Sequence, residues 1–395
     1  MVGSLLPPVA LSRIRVKNFR SLGDVDLSLR ELTVLVGKNG VGKSNIIDAL
    51  RFVRDALTKG LDEAVLQRGG MSAIRKWSAK GAADDVSISL EFRYYQDSCT
   101  YGFVLGGDDK GGYAVKREYF QRGNVKNEES WELESGDFVN IVAETLLLPE
   151  NLRRDDTITL LLLPIYGGKQ YKSNGIIYRF ITSMGFHAII PDDLRKPQRP
   201  GNPYPLEERG GNLASVLRNI MQKKEVGNYS ELRDAIGMIA EGVDDISVAD
   251  IEGYLVTRLH HGGTSRESKG PAFALDQESD GTLRALGILT ALYQIPPRSL
   301  LTIEEPESDI HPGALAVFRD CLLEASMNTQ LIVSTHSPDL IDLVPADALR
   351  VVYKDEGCTH VNEISESQKA AIKEQLFTAG ELMRMEGLYA DGGLD

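Results

Sequence analysis

The chain has 395 residues, 42% of them hydrophobic, with 44 Lys and Arg against 57 Asp and Glu for a formal net charge of −13. That length allows two or three domains with real cores, and the acidic balance argues against attraction to nucleic acid through the whole-molecule field, leaving only a local basic groove. Three widely spaced cysteines, Cys99, Cys321 and Cys358, make neither a disulfide framework nor a zinc motif and fit a reducing cytoplasm, and no uncharged apolar run approaches the ~18–20 residues of a membrane span.

The segment MVGSLLPPVALS lacks a basic region and is broken by Pro7 and Pro8, so it is not expected to act as a secretory signal. A first strand is predicted over Ile14 to Phe19. Leu32 to Val36 is short, apolar and β-branched, and behind it Ile46, Ile47, Leu50, Val53 and Leu57 recur at three- and four-residue spacing, the pattern of a strand leading into an amphipathic helix. Between them GKNGVGKS, Gly37 to Ser44, completes the G-x-x-x-x-G-K-[ST] phosphate-loop pattern. Gly37, Gly40 and Gly42 let the backbone turn its N–H groups inward, with Lys38, Asn39, Val41 and Asn45 completing the cradle, and the new helix aims its positive end at phosphate. Lys43 is placed to bridge the β- and γ-phosphates and the Ser44 hydroxyl to ligate Mg2+. Val86 to Phe92, Tyr101 to Leu105 and Tyr113 to Phe120 continue as an antiparallel meander.

From about Gly123 to Val243 the composition turns charged and Gly/Pro-punctuated, which reads as an inserted region. Its helices are predicted at Leu213 to Met221, opening after Asn212 as a cap, and at Leu232 to Ile239. Arg195, Lys196 and Arg199, and the adjacent Lys223 and Lys224, read as solvated surface.

The final 150 or so residues alternate strand and helix, which argues for a mainly parallel sheet covered by helices. A strand is predicted over Ile246 to Leu259, then a helix at Thr282 to Tyr293, a strand at Leu300 to Ile303, a helix at Pro312 to Ala325 and a strand at Leu331 to Ser334. Ser279-Asp280-Gly281-Thr282-Leu283 precedes the first of these helices and offers a second anion-binding helix start, or simply an N-cap. Leu300 to Glu305 is an apolar strand that ends in two carboxylates before Pro306, a Walker B pattern. Glu304 is assigned to the metal and Glu305 to the base that polarises the attacking water. Leu331 to Ser334 leads to Thr335 and His336, a histidine placed to touch the γ-phosphate or that water.

The ordered set of phosphate loop, SDGTL, LLTIEEPESDIHP and IVSTHSP resembles the ABC-type ATPase heads of the SMC/RecF group, and within it the compact bacterial ATPases related to the OLD family. The opening IRVKNFRSLGDVDLSL is similar to the first hairpin of those heads. The resemblance covers about residues 1–95 and 245–355 and implies an α/β P-loop NTPase with a mainly parallel core sheet, an antiparallel β subdomain and a mostly helical insert. The corresponding division is 1–122, 123–245 and 246–395.

The resemblance further implies that Ser279, Asp280 and Gly281 form the signature motif that completes the site of a second subunit, that Ser308 to His311 form the D-loop and that His336 is the switch histidine. Gln67 is the candidate for the Q-loop glutamine near Mg2+, and Arg20 for a residue approaching the nucleotide from the first hairpin. The sequence departs from the pattern in having Glu304 at the usual aspartate and Asp280 where transporter signatures carry Gly. No heptad run for a long coiled coil is present, and the segment after His336 lacks an acidic metal cluster, so no nuclease is expected in this chain. The expected activity is ATP hydrolysis with Mg2+ by a homodimer, or higher homo-oligomer, that closes around two nucleotides. The expected role is control of a separately encoded effector, a nuclease or toxin, in antiphage defence. The alternatives are a RecF-like DNA-repair ATPase that binds DNA and a non-hydrolysing nucleotide-gated scaffold.

Overall fold

The computed structural model describes residues 9–76, 84–95, 97–107, 112–123, 129–134, 172–223, 228–262, 270–385 and 387–389. The chain forms two compact units, each assembled from separate stretches. The first takes residues 1–30, 37–184 and 350–363, and the second takes 31–36, 185–349 and 364–395. The 123–245 region is therefore not a unit of its own: it divides after Met184. Lys224 and much of the first half of that region lie outside the described residues.

In the first unit, β1 (Val9–Phe19) and β2 (Leu22–Ser28) form a hairpin, and β1 also pairs antiparallel with β4 (Val86–Tyr94), followed by β5 (Asp97–Gly107), β6 (Tyr113–Gly123) and β7 (Glu129–Glu134). This is the expected meander. On the other side of β2 lies β15 (Cys358–Glu363), paired in turn with β14 (Leu349–Asp355). Alternation along β1 buries Leu11, Ile14, Val16 and Phe19. Helices α1 (Lys43–Lys59), α2 (Leu61–Leu66), α3 (Met71–Ile74) and α4 (Lys172–Thr182) complete the unit. The predicted stripe on α1 is buried, with Phe52 added, and each of its large apolar side chains contributes about 1.5–3 kcal/mol relative to exposure. Phe52 packs between Phe19 at 5.7 Å and Phe103 at 6.2 Å with the rings tilted by 49° and 56°, which fixes α1 against both β1 and β5.

The second unit carries the parallel core: β8 (Gly185–His187), β12 (Leu300–Glu304), β13 (Gln330–Thr335) and β3 (Leu32–Val36), all parallel neighbours in that order. Every residue of β3 and β13 is buried, the mark of strands covered on both faces. The helices are α5 (Pro191–Arg195), α6 (Leu213–Gln222), α7 (Asn228–Ile239), α8 (Asp280–Tyr293), α9 (Leu315–Ser326), α10 (Pro338–Ile341), α11 (Glu366–Lys373) and α12 (Ala379–Met385). Buried Leu283, Leu286 and Leu289 seat α8 in the core. The predicted single strand over Ile246 to Leu259 is instead a hairpin, β9 (Val243–Ile251) and β10 (Tyr254–His261), with β11 (Ala272–Ala274) on its edge. Its turn is Glu252-Gly253, at φ 52° and 82°, two left-handed residues in the manner of a type I′ turn. Among the described residues no helix is long and apolar enough to cross a membrane.

Candidate functional site

The phosphate loop belongs to the first unit. It begins at the residue after β3, and α1 starts at Lys43 with Gly42 as its left-handed N-cap at φ 110°. A side chain at Gly42 would be strained and would run into the Thr359 hydroxyl. Thr359 is the loop's clamp: its Oγ1 donates to the Val41 carbonyl at 2.7 Å and lies 2.7 Å from Ser21 Oγ, which accepts from Asn45 Nδ2 at 2.7 Å. Lys43 is only 7% exposed, and its Nζ donates to the carbonyls of Gly37 (2.6 Å) and Lys38 (3.1 Å), so the ammonium is held inside the loop. Lys38, Asn39, Gly40 and Ser44 are exposed. The loop thus presents an open rim over a buried cation. Beside it, Cys358 Sγ is 2.8 Å from Lys76 Nζ, one residue before the clamp.

Arg20, itself left-handed at φ 51°, pairs with Asp48 one turn beyond Ser44 at 3.0 Å. Asp48 also pairs with Arg68 at 2.9 Å, and Arg68 reaches Asp55 at 3.2 Å. Burial alone would raise the Asp55 carboxyl, but Arg54, Lys59 and Arg68 together hold it below its ordinary value. Gln67 sits at the exposed end of α2, where it donates to Glu63 at 2.6 Å and accepts from Lys59 at 3.1 Å. Its amide is engaged in this surface ladder with Glu63 and Lys59.

The second unit holds the remaining motifs. Glu304 ends β12 opposite Ser334 of β13, and Glu305 follows at φ 46°, with its N–H donating to the Ser334 carbonyl at 2.8 Å. This left-handed bend costs a non-glycine residue about 1–3 kcal/mol and turns the second carboxylate out of strand alternation. Glu305 Oε1 lies 3.2 Å from His336 Nδ1. Both side chains are half-exposed, at 40% and 44%. The Thr335 hydroxyl accepts from the Ser337 N–H at 2.9 Å and donates to Glu307. Glu307 is a residue the motif reading passed over. Its signal is a third carboxylate two positions after the base, opposite a strand that ends in a hydroxyl.

Ser279 caps α8, its Oγ accepting from the Thr282 N–H at 3.2 Å. Gly281 is required by close approach, since a Cβ there would overlap the Asp309 carbonyl oxygen. Asp309 is left-handed at φ 65° and lies 3.5 Å from Arg284 of α8, so the start of α8 and the segment Ser308 to His311 are packed together. His311 Nδ1 accepts from the Gly313 N–H at 3.1 Å, which leaves Nε2 as the proton-bearing nitrogen of the neutral ring. Ser279, Gly281, Thr282, Asp309 and His311 line a cleft of about 560 Å3, together with Gly237–Gly242 at the C-terminal end of α7 and the turn that follows it. Asp280 is not among its lining residues. It is paired instead with Arg195 of α5, which the sequence reads as a surface cation; this hydrogen bond raises the Arg195 pKa above its ordinary value.

Sequence comparison matches residues 10–140 to the family model "AAA ATPase domain" and residues 190–342 to "AAA domain, putative AbiEii toxin, Type IV TA system". The OLD nuclease of Thermus scotoductus is 23% identical over 380 residues, covering 92% of this chain and 66% of that one. The Old nuclease of Escherichia phage P2 is 23% identical over 403 residues, covering 91% and 62%. Among solved structures, the SMC head bound to the C-winged helix domain of ScpA superposes with a TM-score of 0.55 at 13% identity over 92% of this chain and 99% of that one. The chain has an SMC/RecF-like ABC ATPase head fold and resembles the OLD proteins. It spans just under two thirds of the length of those two OLD relatives.

Proposed function

We propose that this ABC-type head binds and hydrolyses Mg·ATP and closes as a head-to-tail pair around two nucleotides. The observation that carries the reading is the buried Lys43 ammonium held inside an exposed glycine loop at the start of α1, a cradle built for phosphate. Lys43 binds the β- and γ-phosphates, and Glu305, oriented by its contact with His336, takes the proton of the attacking water. The Ser44 hydroxyl and Glu304 carboxylate are hard oxygen donors of the kind Mg2+ takes, and the ion when bound neutralises charge on the β- and γ-phosphates. Ser279 and Gly281 serve the nucleotide of the second copy. Each triphosphate then supplies the differential affinity that favours the closed pair over two separate acidic chains.

The effector-regulating role, in antiphage defence, draws its support from the OLD relatives, which are named nucleases and extend well beyond the length matched here. A local match of 32% over 88 residues to the DNA replication and repair protein RecF of an Arthrobacter favours the second reading, a DNA-repair ATPase. Turnover stimulated by DNA, with a steep loss on raising salt, would select that second reading. The central test is Glu305→Gln, which removes the base and preserves the fold. With ATP it is expected to accumulate as a dimer in size-exclusion chromatography with light scattering, while phosphate release stops; a persistent monomer would overturn the paired-head reading.

A further inference from the structure

The signature helix carries opposed charges at its start. Its N-terminus is the positive end of α8, yet Asp280, the first helical residue, places a carboxylate there whose side chain is 56% exposed. A carboxylate at that position suits the helix dipole and repels an arriving phosphate. Arg195 is arranged around this group: Nη2 donates to Asp280 and, at 3.2 Å, to the Glu278 carbonyl, while Nη1 donates to Asp192 at 2.9 Å. One planar guanidinium therefore spans three acceptors and grips the backbone on the entry side of Ser279. Its own helix is anchored by buried Leu194 and by Asp193, which pairs with Lys196 at 2.8 Å and Arg209 at 2.7 Å. On the other flank, His261 holds Glu278 at 2.8 Å. Ser279, Gly281 and Thr282 face the cleft and Asp280 does not.

We propose that Arg195 is a positioning residue of the trans nucleotide site. It neutralises Asp280 and keeps the carboxylate off the cleft, so that the Ser279–Gly281 start accepts the γ-phosphate of a nucleotide bound by a second copy. The inference rests on the paired-head reading above.

The test is run in the Glu305→Gln background with ATP, following the dimer dissociation constant by analytical ultracentrifugation and the ATP affinity of the isolated chain with a fluorescent analogue. Arg195→Ala is expected to weaken ATP-dependent dimerisation by about tenfold or more while ATP affinity stays within about twofold. Adding Asp280→Asn is expected to restore dimerisation to within about threefold. The double variant lacks the same guanidinium, so its recovery separates charge neutralisation from lost packing. Undiminished dimerisation of Arg195→Ala would overturn the proposal, as would a double variant as weak as the single one. Should Glu305→Gln itself stay monomeric, the paired-head reading fails first and this inference falls with it.

Discussion

At the scale of single residues, the site depends on side chains whose partners are distant in sequence. Gly281 shows how the sign of an effect is decided. Glycine to alanine inside a helix normally stabilises by about 0.5–1 kcal/mol, but here the added Cβ would meet the Asp309 carbonyl, a backbone atom with no rotamer to yield. Gly281→Ala is therefore expected to destabilise by roughly 1–3 kcal/mol, read as a lowered urea midpoint, and to abolish ATP-dependent pairing. The local motifs were legible because each is contiguous: a phosphate loop must be GKNGVGKS in one run, and Glu304-Glu305 must end one strand. Asp280 with Arg195, Thr335 with Glu307, and Glu278 with His261 were not legible, because each pair joins residues on separate elements, and no periodicity links them.

At the scale of elements, α1 and α2 are joined by a polar network. Arg68, nearly buried, reaches both Asp48 and Asp55, while its guanidinium lies 5.2 Å over the Phe52 ring. Arg68→Ala removes one of several partners, since Asp48 keeps Arg20 and Asp55 keeps Arg54 and Lys59, and should cost about 1–3 kcal/mol. The pH dependence has a definite sign. The folded Asp55 carboxyl lies below its ordinary value, so the unfolded chain binds more protons in that interval. The stabilisation is fully present above about pH 4 and is lost as pH falls through the lower folded value. Asp55→Asn is expected to flatten the acid limb of a stability-against-pH curve measured by urea denaturation, and an unchanged slope would count against the network. The β9–β10 hairpin marks the limit of element reading. Its strands form one nearly continuous β-compatible run, and Glu-Gly is a weaker hairpin signal than Asn-Gly or Asp-Gly.

At the scale of the whole molecule, the α/β class, parallel core and antiparallel subdomain were all legible from strand spacing and motif order, and they match the SMC-type head. The partition into units was not. The chain passes between the two units five times, once to place the six residues 31–36 in the second unit before returning for the phosphate loop. Composition changes, such as the one near Gly123, follow solvent exposure and turn density, and neither records which unit a strand joins. The middle region accordingly splits between both units.

The contact between Cys358 and Lys76 has a practical consequence for observing the loop. Cys99 and Cys321 are buried, and Cys358 alone of the three thiols is partly exposed, one residue from the Thr359 clamp on Val41. A maleimide dye added to the native protein should couple with one fast equivalent, placing a spectroscopic reporter beside the phosphate loop without engineering any cysteine. Three equal labelling rates would show that the cores around the other two sulfurs open readily. A single fast site would turn this natural thiol into an optical readout of nucleotide arrival.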